Sequence, residues 1–314
     1  MKKPDILPTI SIPQAFAEDT ITREGEAGRQ WLAALPGRIQ NLCTQWHLHI
    51  DGPLMHGYAG LAIPTRRGDE PCVLRVGWLD EHTRSAPIAL RAWNGHGAVR
   101  LLEFEPVANA MLLERLDPTR ALAQVPIGEA VVIAGQLLRQ LAIPAPAGLP
   151  TMRDMAEEAA VLMPQRWQEY GRPTPRPWLD RACALALALS EPNPHLLVDY
   201  DLHYDDILAS ERAPWLALDP KPISGTPEYG LAQLVWQRLD EMEAAGGLAR
   251  HFDRLVEAAE LDAELARGWT FVRCMDYWLW GLTVGLTYDP ARCARIVSWL
   301  VGQIIDGSLE SCGG

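Results

Sequence analysis

The segment LLVDYDLHYDDILASERAPWLALDPKP, residues 196–222, places Asp199, Asp201, Asp205 and Asp206 with His203 in one loop between two short apolar runs, and Asp219 directly after the second run. Phosphoryl transfer needs a carboxylate to orient the attacking hydroxyl and two oxygen ligands to hold Mg²⁺ against the phosphates. Asp201, Asp206 and Asp219 can supply all three. A turn between two strands would bring these carboxylates together, where they repel one another unless a divalent cation or a cationic substrate is present. Acidic clusters also decorate solvated turns, and clustering alone does not decide between the two readings.

Composition narrows the partners. The chain has 314 residues, 48% of them hydrophobic, which is enough for two packed lobes. Its formal charge of −12 repels nucleic-acid phosphates and anionic membranes, so a cationic small molecule is the expected partner. Cys43, Cys72, Cys183, Cys274, Cys293 and Cys312 are scattered without a CxxC pair or metal-like spacing, and they read as reduced and structural. The start MKKPDILPTISIPQAF is punctuated by prolines and polar residues, unlike a signal peptide, and the apolar stretch Tyr277–Tyr288 is too short to cross a bilayer. A cytoplasmic location is the expectation. No P-loop, GxSxG elbow, dinucleotide fingerprint or zinc signature is present, and in HLH (47–49) the two imidazoles merely share one face of a strand.

The elements that must position the acidic loop fall into two textures. A helical pattern over 28–46, interrupted at Pro36, leads into β-like runs at 48–52, 61–64, 72–78, 98–104 and 110–116, with RRGDE turning the second into the third. A helical segment over 80–93 interrupts them. From Pro126 the three-to-four spacing of Ile127, Val131, Ala134, Leu138 and Leu141 predicts a helix with one buried face. Further helices are predicted over 151–170, 178–189, 227–245, 247–259, 263–283 and 289–305, with one β-like island at 196–219. The prediction is an α+β fold: a β-rich lobe over 1–116, a helical lobe over 117–314, and a cleft between them.

The acidic segment resembles the Brenner-type motif of aminoglycoside and choline kinases, usually written HGDLHxxN and followed by a strand and a second metal-binding Asp. DPKP (219–222) is similar to the branch that phosphorylates streptomycin or is labelled hydroxyurea phosphotransferase. EHTRSAPIALRAWNGHGAVRLLEFEP followed by AMLLERLDP resembles that branch's helix, strand and hinge in the same order, and the likeness runs over roughly residues 45–305. It implies a two-lobed, protein-kinase-like fold and a small-molecule kinase that uses ATP or GTP with Mg²⁺. It also implies roles for particular residues: Asp201 as the catalytic carboxylate, His203 as the loop-holding histidine, and Asp206 and Asp219 as the metal ligands. The strand ending at the hinge would present Glu114, Arg115 and Leu116 to a purine. PLMHGYAG (53–60) matches the turn over the phosphates, which Gly57 and Gly60 would let approach closely.

Three positions depart from the family. Arg75 stands where the β3 lysine reaches the phosphates, keeping the charge on a larger planar fork. Ala86 replaces the glutamate that pairs this lysine, leaving Glu81 or Glu103 as substitutes, and Asp206 replaces an asparagine. These changes leave two readings: an active kinase, with Arg75 steadying the α- and β-phosphates, or a pseudokinase that binds or regulates without transfer. For an acceptor such as an aminoglycoside, Glu228, Asp240, Glu241 and Asp276 could pair amino or guanidino groups, and Trp236, Tyr277, Trp278 and Trp280 could stack on them. Each also fits a bland alternative, a solvated helix face for the acids and a packed core for the tryptophans.

Overall fold

The computed structural model describes residues 10–78, 84–191 and 195–306. They form an antiparallel sheet followed by a mostly helical remainder, the α+β organisation expected. The chain divides into two compact units, the first drawn from residues up to Pro87 together with Val99–Leu116 and the second from Ile88–Ala98 and the residues from Asp117 on.

The first unit opens with α1 (Gln14–Gln45), kinked at Gly25, whose φ of 61° and ψ of −131° are not helical. The expected interruption at Pro36 does not occur. The helix runs through the proline because Leu32, Leu35, Ile39 and Leu42 on its buried face join Leu61, Ile63, Leu74, Val76 and Leu112 in one core cluster. Burial of that stripe outweighs one missing hydrogen bond and the proline's poor propensity. The sheet beneath it comprises β1 (Leu48–Ile50), β2 (Met55–His56), β3 (Gly60–Arg67), β4 (Glu70–Gly77), β5 (Leu101–Glu105) and β6 (Ala110–Glu114). Its order is β1-β3-β4-β6-β5, with β2 pairing β3 and every pair antiparallel. RRGDE turns β3 into β4 through Gly68–Asp69, with Arg67 opposite Glu70. Helix α2 (Ala86–Trp93) fills part of the segment expected to be helical, and residues 80–83 of it, including Glu81, lie outside the described residues.

Residues 88–98 group with the second unit through specific bonds. Trp93 Nε1 donates to the Leu141 carbonyl at 2.8 Å, and Arg212 donates to the carbonyls of Gly95 (2.5 Å) and Ala98 (2.9 Å). The helices of this unit are α3 (Ile127–Leu141), α4 (Met152–Glu169), α5 (Arg176–Leu189), α6 (Leu231–Trp236), α7 (Leu239–Ala244), α8 (Leu248–Ala259), α9 (Ala263–Thr283) and α10 (Tyr288–Asp306). Thr151 and Asp154 cap α4 reciprocally, and Asp262 caps α9 by accepting from the N–H groups of Glu264 and Leu265. Trp236, Trp269, Tyr204, Phe252 and Phe271 are fully buried in its core.

The helix expected over 227–245 is broken. A 3-10 turn at Pro227–Gly230 precedes α6, and a break at Gln237–Arg238 separates α6 from α7. At the break, Arg238 is buried and donates to the carbonyls of Leu122 and Val125, so tertiary bonds replace helix continuation. The island of strands extends to residue 225 as two separate pairs: β7 (Leu196–Asp199) with β10 (Pro222–Gly225), and β8 (Ile207–Leu208) with β9 (Leu216–Ala217). Cys43, Cys72, Cys183, Cys274 and Cys293 carry free thiols, and Cys312 lies outside the described residues. No helix among the described residues is long and apolar enough to cross a membrane.

Candidate active site

Strand β7 delivers the acidic loop. Its last residue, Asp199, is 1% exposed and accepts through Oδ1 from the N–H groups of Asp201 (3.2 Å) and Lys221 (3.1 Å). Burial and the neighbouring charge of Asp201 push its carboxyl up to about 7, against the lowering effect of those two N–H donors. The antiparallel register sets Asp199 opposite Pro222, and Tyr200 N–H donates to the Lys221 carbonyl at 3.1 Å. Lys221 is thereby carried back beside the loop it follows by twenty residues, and its Nζ stands 2.5 Å from Asp201 Oδ2.

The second strand pair brings the other two carboxylates together. Asp206 ends a 3-10 turn (Tyr204–Asp206) immediately before β8, and Asp219 follows β9 after one residue. Their bases are tied by Leu218 N–H donating to the Asp206 carbonyl at 2.9 Å. Asp219 takes a φ of 49°, a left-handed conformation that aspartate tolerates better than most residues. Burial raises the Asp206 carboxyl above its usual range against the opposing pull of His203, and the charge of Asp219 adds to the rise. His203 Nε2 lies 2.9 Å from Asp206 Oδ2. Burial works to lower His203, but the hydrogen bond and charge of Asp206, with Asp201 and Asp205, push it up to about 9. Among the described residues no three His, Cys, Asp or Glu side chains gather into a metal site. Two adjacent carboxylates are nonetheless the hard-oxygen set that Mg²⁺ takes from a protein when phosphates supply other ligands, so Asp206 and Asp219 fit that ion.

Residues outside the motif fix the loop from below. Arg273 on α9, 8% exposed, donates to the carbonyls of Tyr200 (3.0 Å) and Tyr229 (2.9 Å), with its guanidinium 5.1 Å and 4.7 Å from the two ring centres. Gln237, at the break between α6 and α7, accepts from Tyr204 N–H at 2.8 Å and donates to Asp205. Gly230 permits the turn before α6 to lie against β7, since a Cβ there would stand 2.9 Å from the Asp199 carbonyl oxygen. The apolar periodicity of α9 and α6 gave no sign of the roles of Arg273 and Gln237. The role of such an arginine or glutamine is visible only once its carbonyl or amide partners are known.

The acceptor candidates separate. Trp236 is fully buried and stacks on Tyr277 at 4.6 Å, so it belongs to the core and offers no surface for stacking. Glu228 is 7% exposed, accepts from Asp262 N–H at 3.1 Å and pairs with Thr226, which makes it a strut beneath α9. Asp240 is held down to about 2 by Arg295 and Arg292, at 2.8 Å and 2.6 Å, and Glu241 pairs with Arg238. Asp276 and Trp278 remain partly exposed on α9, with Asp276 2.8 Å from Arg166.

In the first unit, Arg115 is engaged through its side chain by Asp51 (2.8 Å) and the carbonyls of Thr65 (2.5 Å) and Cys72 (3.3 Å), which leaves its backbone as the part able to face a ligand. Glu114 N–H already donates to the Arg100 carbonyl at 3.1 Å, and Leu116 follows β6 by two residues. Gly57 N–H donates to the Gly60 carbonyl at 3.0 Å, and Gly60 faces Gly77 so closely that a Cβ would meet the β4 backbone at 3.0 Å. Strand pairing therefore accounts for Gly60 by itself. The Arg75 guanidinium lies along β4 toward Gly77 and Asn109. Glu103 pairs with Arg67 at 2.8 Å, and Ala86 is buried at the start of α2.

The model for the aminoglycoside/hydroxyurea antibiotic resistance kinases matches residues 45–285. The streptomycin 6-kinase of Streptomyces glaucescens is 39% identical over 291 residues, covering 90% of this chain and 94% of that one. The hydroxyurea phosphotransferase of Kitasatospora aureofaciens is 37% identical over 303 residues, covering 94% and 87%. Among solved structures, a thermostable mutant of aminoglycoside phosphotransferase APH(4)-Ia in ternary complex with ADP and hygromycin B has a TM-score of 0.59 at 20% identity, covering 82% of this chain and 97% of that one. The choline kinase LicA of Streptococcus pneumoniae has a TM-score of 0.56 at 13% identity, covering 85% and 99%. These two structures share the kinase-like fold, and on the family match and the identities over nearly its whole length the chain belongs to the aminoglycoside/hydroxyurea antibiotic resistance kinases.

Proposed function

We propose that the chain is an O-phosphotransferase that moves the γ-phosphate of ATP or GTP to a hydroxyl of a streptomycin-type aminoglycoside. The observation that carries the reading is the position of Asp201, Asp206 and Asp219 at the ends of two short strand pairs, where the charges of Asp201 and Asp219 act on Asp206, in a chain whose 37–39% identical relatives are named kinases and phosphotransferases. No comparison favours the non-catalytic alternative.

In this reading Asp201 accepts the hydrogen bond of the acceptor hydroxyl, aims its oxygen at the γ-phosphorus and takes up its proton. Asp206 and Asp219 hold Mg²⁺, which when bound neutralises charge on the β- and γ-phosphates. His203 fixes the rotamer of Asp206. Arg75 steadies the α- and β-phosphates, the β2–β3 turn at Gly57–Gly60 covers them, and backbone groups of residues 114–116 meet the purine. Asp276 and Trp278 are the acceptor contacts that the packing of the second unit favours. Use of a nucleoside triphosphate makes the cytoplasm the working compartment.

The test is release of nucleoside diphosphate from ATP and from GTP with Mg²⁺, across streptomycin, other aminoglycosides and hydroxyurea. Acceptor-dependent release is expected, reduced about 10²- to 10⁴-fold in Asp201→Asn without loss of folding. An Asp201→Asn protein as fast as the parent would remove Asp201 from the mechanism.

A further inference from the structure

The Lys221 ammonium is not used by the parts assigned above. It follows the candidate metal ligand Asp219 by two positions yet is held at the other carboxylate of the site, 2.5 Å from Asp201 Oδ2. Its placement is fixed by backbone rather than by chance of a long side chain. Lys221 N–H donates to Asp199 Oδ1 at 3.1 Å, its carbonyl accepts from Tyr200 N–H at 3.1 Å, and prolines flank it at 220 and 222. Both ends of the pair stay accessible, with side-chain exposures of 41% for Lys221 and 23% for Asp201. A partly exposed ion pair contributes modestly to folding, so stabilising the chain does not by itself account for this lysine.

Resting on the kinase reading, we infer that Lys221 is a catalytic cation: it orients Asp201 through Oδ2 and then meets the phosphoryl group as it is transferred. With Oδ2 held by the lysine, Oδ1 is the oxygen turned to the acceptor hydroxyl. As the hydroxyl oxygen forms its bond to the γ-phosphorus, the bond from that phosphorus to the β,γ-bridging oxygen breaks and its electron pair leaves with the nucleoside diphosphate. The hydroxyl proton passes to Asp201. Protonation removes the charge that held Lys221, and the ammonium turns to the equatorial oxygens of the phosphoryl group, where negative charge is concentrated. The same lysine thus keeps Asp201 from repelling the incoming phosphates before transfer and binds the product phosphate after it.

The experiment compares wild type with Lys221→Met, Lys221→Arg and Lys221→Ala, the last with and without added ethylamine, using an acceptor that the wild type turns over. For Lys221→Met the expected result is a fall in kcat on the order of 10²- to 10³-fold, with both KM values within a few-fold and the melting temperature little changed. Lys221→Arg should retain part of kcat, and ethylamine should restore turnover to Lys221→Ala with saturation while leaving Asp201→Asn inactive. Should Lys221→Ala not fold, Lys221→Met keeps the methylene stem and carries the test with Lys221→Arg. The inference is overturned if Lys221→Met keeps wild-type kcat, if its loss lies wholly in KM or tracks the melting temperature, or if neither arginine nor ethylamine restores any turnover. Wild-type protein without acceptor-dependent turnover refutes the kinase reading and this inference with it, whereas an active wild type beside an unimpaired Lys221→Met refutes this inference alone.

Discussion

The carboxyl of Asp199 is buried at the end of β7 with the charge of Asp201 beside it, and it answers to pH differently from a surface aspartate. An acid whose pKa rises on folding, here from 3.8 to about 7, costs no stability below its unfolded value. The cost grows as pH climbs through that interval and is complete above about 7. Asp199→Asn keeps an oxygen to accept from the Asp201 and Lys221 N–H groups but cannot ionise. The variant should therefore be the more stable protein at pH 8, by at most roughly 4 kcal/mol, the linkage limit, and the difference should close toward pH 4. Urea unfolding of both proteins at pH 8, 6 and 4.5 measures this, and equal midpoints at pH 8 would show that Asp199 stays charged at no cost. At this scale the sequence was informative in part. The candidate carboxylates Asp201, Asp206 and Asp219 could be singled out from type and spacing, because they lie within one short stretch of chain. The ion pair of Lys221 with Asp201 was not, because it exists only in the β7–β10 register.

Helix α9 acts on the site through one side chain, since Arg273 reaches from its buried face to the carbonyl just ahead of Asp201 and to that of Tyr229. Arg273→Met preserves much of the apolar stem but removes both donors, leaving the two carbonyls without them. We expect a loss of about 2–3 kcal/mol in stability and a fall in kcat larger than any rise in nucleotide KM, because the loop that carries Asp201 is loosened while the first unit is untouched. Denaturant melts and steady-state kinetics on one preparation check both halves, and a variant destabilised but kinetically normal would make Arg273 a core residue only. Periodicity located α3 and α8 well, because each buries one continuous stripe, and the bounds of α9 and α10 also lie close to those expected, although α9 is buried on every side over residues 268–275. It failed where side chains override the pattern. The apolar residues of 231–239 continue in register across Gln237 and Arg238, so nothing local announces that the helix stops there for Gln237 to bind Tyr204 N–H. It failed in the opposite direction at Pro36, where a local breaker is overruled by the core that α1 covers.

The whole molecule contributes a field, because a formal charge of −12 lowers the electrostatic energy of an approaching cationic acceptor and raises that of an anionic nucleotide. Electrostatic steering of this kind accelerates encounter by roughly 10- to 10³-fold at low ionic strength, and it fades once the Debye length, about 10 Å at 0.1 M salt, falls below the separation of the charges. With Mg²⁺ and nucleotide held saturating, so that their own salt response does not enter, kcat/KM for a guanidino-bearing aminoglycoside should fall about tenfold between 20 mM and 500 mM NaCl, while kcat stays level. Hydroxyurea, which carries no charge, should show no such slope. The contrast separates a field effect from a general effect of salt on the protein, since the latter would lower both acceptors alike. A flat response for the cationic acceptor would mean that its recognition lies in short-range contacts such as those available to Asp276 and Trp278. The net charge of the chain would then be idle in substrate capture.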